Sequence, residues 1–170
     1  IPPLPRTVRF VEAIMKTIVV LSDTHGNRKA IDGIDGVLAE CDTIIHLGDT
    51  SSDGSYICGK YPDKTVIVNG NCDMPKLGGE EAVIEIENLR IFACHGHTYS
   101  VKTTLVRLAE KAKKSDCALA LYGHTHEARE DVIDGVTLIN PGCMTNYGNK
   151  SYLYLVVNGD KFTAKNVPVI

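Results

Sequence analysis

From residue 15 onward, short apolar runs alternate with stretches of helical period. Residues 17–21, TIVVL, form a continuous run rich in β-branched side chains, the pattern of a strand buried on both faces. Over 27–39, Ala30, Ile31, Ile34, Val37 and Leu38 share one face at helical spacing, which predicts a helix. TIIHL at 43–47 and TVIV at 65–68 repeat the buried-strand pattern, with a looser stretch at 53–60 between them. Strand, helix and strand at these intervals imply a βαβ unit and a parallel sheet. The second half changes character. Residues 81–87 alternate polar and apolar, Asn88 interrupts, and RIFAC at 90–94 reads as a strand. Val101, Leu105, Leu108, Ala109 and Ala112 mark a helix, and ALALY at 118–122 another strand. Asp134-Gly135 and Asn158-Gly159, each between apolar alternations, predict two closing hairpins. Parallel units followed by hairpins point to mixed sheets, in one domain over 15–170. Residues 1–14, IPPLPRTVRFVEAI, hold three of the seven prolines and read as an appended or upstream extension, with the native start at Met15. The alternative is a basic, weakly amphipathic anchor using Arg6, Arg9, Phe10 and Ile14; a signal peptide fits poorly, because Pro, Arg and Glu interrupt the segment.

Composition narrows the classes. At 170 residues, 44% hydrophobic and 23% charged, the chain can build its own core, and disorder, collagen-like repeats and coiled coil are disfavoured. It contains no apolar run of roughly 18 residues, so no membrane helix is expected. The net charge of −3 comes without a Lys/Arg block, which argues against a stable nucleic-acid complex and leaves a small nucleotide open as substrate. Six cysteines without a CxxC pair suit reduced thiols in a cytoplasmic protein. Five of the six histidines crowd into three short segments beside Gly or Asp, and there the chemistry concentrates.

Each early strand runs into a polar cluster of one kind. TIVVL leads to Ser22-Asp23-Thr24-His25-Gly26-Asn27, TIIHL to Gly48-Asp49, and TVIV to Asn69-Gly70-Asn71-Cys72-Asp73. RIFAC ends at His95-Gly96-His97 and ALALY at Gly123-His124-Thr125-His126. Taken singly, such a cluster is commonly a turn or cap. In an open α/β sheet, however, ligands gather outside the carboxyl ends of the strands, so all five would converge on one edge. The converging set of carboxylates, an amide and imidazoles suits hard and borderline divalent ions such as Mn²⁺, Fe²⁺, Zn²⁺ or Mg²⁺. Seven candidates exceed the needs of one ion and suit two that share a bridging carboxylate, an arrangement that can clamp an in-line displacement at phosphorus. The neighbouring glycines are expected to allow φ > 0 in sharp turns.

The order Asp23-x-His25, Gly48-Asp49, Gly70-Asn71-Cys72-Asp73, His95-Gly96 and Gly123-His124-x-His126 resembles the calcineurin-like metallophosphoesterases, and the short chain with its GNCD form resembles their small bacterial and archaeal phosphodiesterase branch. That resemblance implies a four-layer α/β/β/α sandwich with two mixed sheets. It implies two divalent ions, manganese first, with nickel, iron, zinc or magnesium as alternatives. Asp23, His25 and His126 would bind the first ion, Asn71, His95 and His124 the second, and Asp49 would bridge both. A bridging water, acidified toward hydroxide, would attack phosphorus in line, with Asn71 helping to hold the charge that develops. The substrate would be a small phosphodiester or nucleotide, and the protein could form a homo-oligomer. Two alternatives stand beside this reading: a phosphomonoesterase or nuclease with the same centre, and a non-catalytic scaffold resembling the Vps29 subunit of retromer.

One departure matters. Many members carry histidine after the GN pair, placed to protonate the leaving oxygen, and here that position is Cys72. Its expected role is that of a packed small residue, so any proton must come from His97, from water, or from nowhere. His97 is a candidate substrate contact or supporting donor. His46 is expected to be a packed strand histidine, Asp73 to orient the Asn71 loop or a ligand, and Asn27 to cap the first helix or touch phosphate. Asn140-Pro141-Gly142-Cys143 resembles a turn found near this family's site and reads equally well as an ordinary tight turn.

Overall fold

The computed structural model describes residues 14–170 apart from residues 75 and 77. The reading of 1–14 as an extension, and the anchor built on Arg6, Arg9 and Phe10, therefore lie outside the described residues up to residue 13. The chain runs β1 (Lys16–Leu21), α1 (Arg28–Gly33), α2 (Asp35–Glu40), β2 (Thr43–His46), α3 (Ser51–Lys60), β3 (Thr65–Ile67), β4 (Glu81–Ile86) and β5 (Leu89–Cys94). After a short 3-10 turn at His97–Tyr99 come α4 (Val106–Lys114), β6 (Leu119–Leu121), β7 (Ala128–Ile133), β8 (Val136–Pro141), β9 (Lys150–Asn158) and β10 (Lys161–Val169).

The strands form two five-stranded sheets, ordered β10-β9-β1-β2-β3 and β4-β5-β6-β8-β7. Both are mixed. The first joins parallel β1, β2 and β3 to the antiparallel β9/β10 hairpin, and the second joins parallel β5, β6 and β8 to antiparallel edges β4 and β7. The layering follows from strand period. In β1, Ile18 and Val20 face the second sheet and pack with Ile91, Leu119, Leu121 and Ile139, while Val19 and Leu21 face outward onto Ala30, Ile31 and Leu38. On the far side, Leu108, Ala109 and Ala112 of α4 cover Phe92, Ala120 and Leu138. The order is helix, sheet, sheet, helix, the expected α/β/β/α sandwich.

Three local expectations change. The helix expected over 27–39 is two six-residue helices broken at Ile34 (φ −111°, ψ 14°), where Gly33 and Gly36 lower helix propensity on either side. The looser stretch at 53–60 lies within α3, whose turn-forming Ser and Gly residues surround one fully buried apolar anchor, Ile57, and so hide its periodicity. The helix marked by Val101 begins only at Val106; Val101 and Leu105 are buried, but from the turns that precede it.

Candidate metal centre

The carboxyl ends of β1, β2, β3, β5 and β6 bring their loops together on the seam between the two sheets. Backbone bonds lock them there: Asp23 N–H donates to Gly48 O (2.9 Å), His25 N–H to Asp49 O (3.3 Å) and Gly123 N–H to His95 O (2.9 Å). Two glycines answer to close approach rather than to φ. A methyl group at Gly70 would collide with the Asp49 carboxylate, and one at Gly123 with the Ser22 hydroxyl. Gly26, Gly48 and Gly96, beside His25, Asp49 and His95, take φ of 82°, 102° and 110° as expected, and five of the candidate ligands take the left-handed region as well: Asp23, His25, Asp49, His124 and His126, with φ between 44° and 70°. For non-glycine residues that conformation is strained, and here it aims each side chain inward.

Two groups of three ligand atoms result, Asp23 with His25 and His126, and Asp49 with His95 and His124, each with its atoms within 4.8 Å of one another. His126 Nε2 lies 3.1 Å from Asp23 Oδ1, and His95 Nε2 lies 3.3 Å from Asp49 Oδ2 and 3.2 Å from His124 Nδ1. The groups adjoin, because Asp49 Oδ2 is also 3.9 Å from His25 Nε2. Each carboxylate has one oxygen fixed by protein: Asp23 Oδ2 accepts from Ser22 Oγ–H (2.6 Å) and His124 N–H (2.9 Å), and Asp49 Oδ1 accepts from Cys72 N–H (2.9 Å). Asp23 Oδ1 is buried without a hydrogen-bond partner. His95 Nδ1–H donates to Leu47 O (2.8 Å), which turns its Nε2 toward the site. An orphaned carboxylate oxygen facing oriented imidazole nitrogens is a donor set that fits divalent cations.

Charge within the centre follows the same contacts. Burial opposes ionisation of Asp49, yet the His95 bond and the Cys72 N–H hold its carboxyl well below the usual range. Burial acts to lower the His95 pKa, but the bond to Asp49 and the charge of Asp23 raise it overall. Burial and the neighbouring His95 lower the pKa of both His124 and His97.

The remaining candidates take distinct places. Asn71 stands exposed on the loop that touches Asp49, its amide nitrogen 3.5 Å from Cys72 Sγ. Cys72 is exposed, which corrects its reading as a packed small residue: its backbone N–H is engaged by Asp49 while its thiol has no core to enter. His97 is not within hydrogen-bond reach of the six clustered side chains. Its ring lies 5.5 Å from that of His95 and 6.1 Å from that of His124, and its Nδ1 is buried without a partner. His46 is wholly buried; its Nδ1 accepts from Gly48 N–H (3.2 Å), so its Nε2–H faces Thr24 Oγ1 (3.0 Å). Asn27 caps α1, accepting from Ala30 N–H (3.2 Å) and donating to Met144 O (2.8 Å). Asn140 braces the histidine loop, donating to Gly123 O (3.1 Å) and Thr125 Oγ1 (2.9 Å).

Asp73 joins two loops, its Oδ2 accepting from Asp49 N–H (3.0 Å) and Gly70 N–H (2.6 Å). Asp73→Ala would leave both buried donors unpaired and is expected to lower the unfolding free energy by about 3 kcal/mol in urea titrations. Asp73→Asn retains an acceptor oxygen and should recover most of that loss; an alanine variant as stable as the parent would show that this acceptor is dispensable. Asp53, in α3, was not singled out from the sequence. It is fully buried, its Oδ2 accepts from Gly26 N–H (2.7 Å) beneath the His25 turn, and its Oδ1 lies 3.7 Å from Arg28 Nε.

A family model described as the calcineurin-like phosphoesterase superfamily domain matches residues 15–161. A phosphodiesterase of Methanocaldococcus jannaschii is 31% identical over 151 residues, covering 76% of this chain and 85% of that protein. A predicted phosphoesterase from Streptococcus pneumoniae has the same fold, with a TM-score of 0.78 at 23% identity over 91% of this chain and 90% of that one. So does Vps29 of Entamoeba histolytica, solved as a zinc complex, with a TM-score of 0.71 at 19% identity over 89% of this chain and 98% of that one. Among the described residues, no helix is long and apolar enough to cross a membrane.

Proposed function

The chain belongs to the calcineurin-like phosphoesterase superfamily, and from that premise we propose that it hydrolyses a small phosphodiester at a two-ion centre, with residues 15–170 acting as one domain. The observation that carries this reading is the pair of adjoining ligand groups, with one oxygen of Asp49 3.3 Å from His95 and 3.9 Å from His25. Asp23, His25 and His126 would hold one ion, and His95, His124 and Asn71 the other, with Asp49 between them. Manganese is the first choice. Ions held there would supply Lewis-acid polarisation of a phosphoryl oxygen and would lower the pKa of water.

The chain's own groups do the rest. Leu47 O fixes the His95 tautomer, and Ser22 Oγ–H together with His124 N–H pins one oxygen of Asp23, so the centre needs little rearrangement to accept a substrate. The exposed Asn71 amide can donate to a non-bridging phosphate oxygen, and His97, whose ring lies beside those of His95 and His124, would serve as a substrate contact.

The test is an assay of bis(para-nitrophenyl) phosphate against para-nitrophenyl phosphate after metal removal and reloading. Activity on the diester that vanishes with chelation and returns with Mn²⁺ is expected. A preference for the monoester would favour the phosphomonoesterase reading. A loaded protein inert toward both would favour a scaffold. Metal binding alone does not separate enzyme from scaffold, since the Entamoeba Vps29 is itself a zinc complex.

A further inference from the structure

Beside the first ligand group a cavity of about 570 Å³ opens directly onto His126. That volume lies within the usual range for small-molecule sites. On its rim stands Tyr147, a residue 87% exposed. The loop beneath it is built rather than loose. Thr145 is buried, and its hydroxyl donates to Tyr147 O (2.7 Å) and accepts from Tyr147 N–H (3.3 Å). The far wall is fixed by Ser151, which donates to Pro141 O through Oγ (2.7 Å) and to Cys143 O through N–H (3.0 Å). Glu127 is the one charged residue in the lining, which includes neither lysine nor arginine.

We propose that this cavity receives the nucleoside portion of the substrate, with the base stacked on Tyr147 while the phosphate lies at the ligand groups. The inference rests on the phosphodiesterase reading and narrows it. A second phosphate would enter a cavity without a cation and with a carboxylate on its wall, so the group that belongs there is uncharged. A flat ring is the uncharged group that gains most from an exposed aromatic face held by its own backbone, and base stacking of this kind tolerates any base. A larger cavity of about 780 Å³ lies beyond α1 toward β9 and β10, with Ala30, Ile34, Val37 and Val167 in its wall and none of the ligand candidates, and so has no part in this site.

The experiment compares two diesters with one leaving group, the para-nitrophenyl ester of thymidine monophosphate and methyl para-nitrophenyl phosphate, on the metal-loaded full chain. Tyr147→Ala is expected to raise KM for the nucleotidyl ester roughly tenfold while leaving kcat, and both constants for the methyl ester, within about twofold. Tyr147→Phe, which keeps the ring, should behave as the parent. Calorimetric titration with thymidine monophosphate should show the same loss of affinity in the alanine variant. Equal effects on both esters, or none on either, would overturn the inference while leaving the phosphodiesterase reading intact. A parent protein that cleaves neither ester would remove that reading, and this one with it.

Discussion

Replacing Asp49 by alanine is expected to lower the metal-dependent rate on bis(para-nitrophenyl) phosphate by about 10³-fold or more, equivalent to roughly 4 kcal/mol of transition-state stabilisation. The size follows from position. Asp49 Oδ2 approaches histidines of both groups, His95 at 3.3 Å and His25 at 3.9 Å, as Asp23 Oδ1 also does with His126 at 3.1 Å and His95 at 3.9 Å, and in the proposed centre Asp49 is the shared ligand. With two ions held as proposed, its loss would remove a ligand from each side at once, and the Cys72 N–H would lose its acceptor. Elemental analysis of the dialysed variant should show fewer bound ions than the parent, and circular dichroism should show the fold retained. Asp49→Asn preserves the shape and the hydrogen bond but not the charge, so it should lie between the two in ion content. Parental activity in Asp49→Ala would refute a centre built on this carboxylate.

The second large effect concerns the leaving group. Diesters that release aryl oxides with pKa near 7 should be cleaved at least about 10²-fold faster than alkyl esters of similar size, the advantage that a well-placed general acid would otherwise remove. On the proposed reading Cys72 stands where an imidazole would protonate the departing oxygen, and its exposed thiol is a weak hydrogen-bond donor. Burial first, and the Asp49 charge second, raise the pKa of that thiol. A series of para-substituted aryl and alkyl diesters, plotted as log kcat/KM against leaving-group pKa, should slope steeply downward. Cys72→His should flatten the line by accelerating the alkyl members. A flat line for the parent would show that another group, His97 foremost, already donates the proton.

The sheets and the clusters at their ends were legible because their signals are local and strong. TIVVL is rich in β-branched residues, and alternate residues reach two different cores, as a strand covered on both faces requires. Asp23, His25, Asp49, His95, His124 and His126 each follow such a run, so strand ends alone were enough to gather them. What escaped depended on tertiary contacts. Asp53 sits among serines and glycines that gave no helical period, and only the fold brings its carboxylate under Gly26. The break at Ile34 was masked by an apolar face that continues across both short helices. Cys72 looked like a residue for packing, and whether a loop residue faces core or solvent is decided by neighbours distant in sequence. Tyr147 carried no motif; its setting arises from a threonine two residues earlier and from a histidine loop on another strand.

Neither sheet owns a complete ligand group. Asp23 and His25 leave the first sheet and must meet His126 from the second; Asp49 leaves the first and must meet His95 and His124 from the second. A half-assembled chain therefore presents only fragments of each coordination set, and affinity for a cation becomes a property of the closed sandwich. An ion in either group would act as a rivet through both layers, resisting their separation by its own binding free energy. Sliding one sheet over the other would disturb both groups together, so the two positions share a mechanical fate.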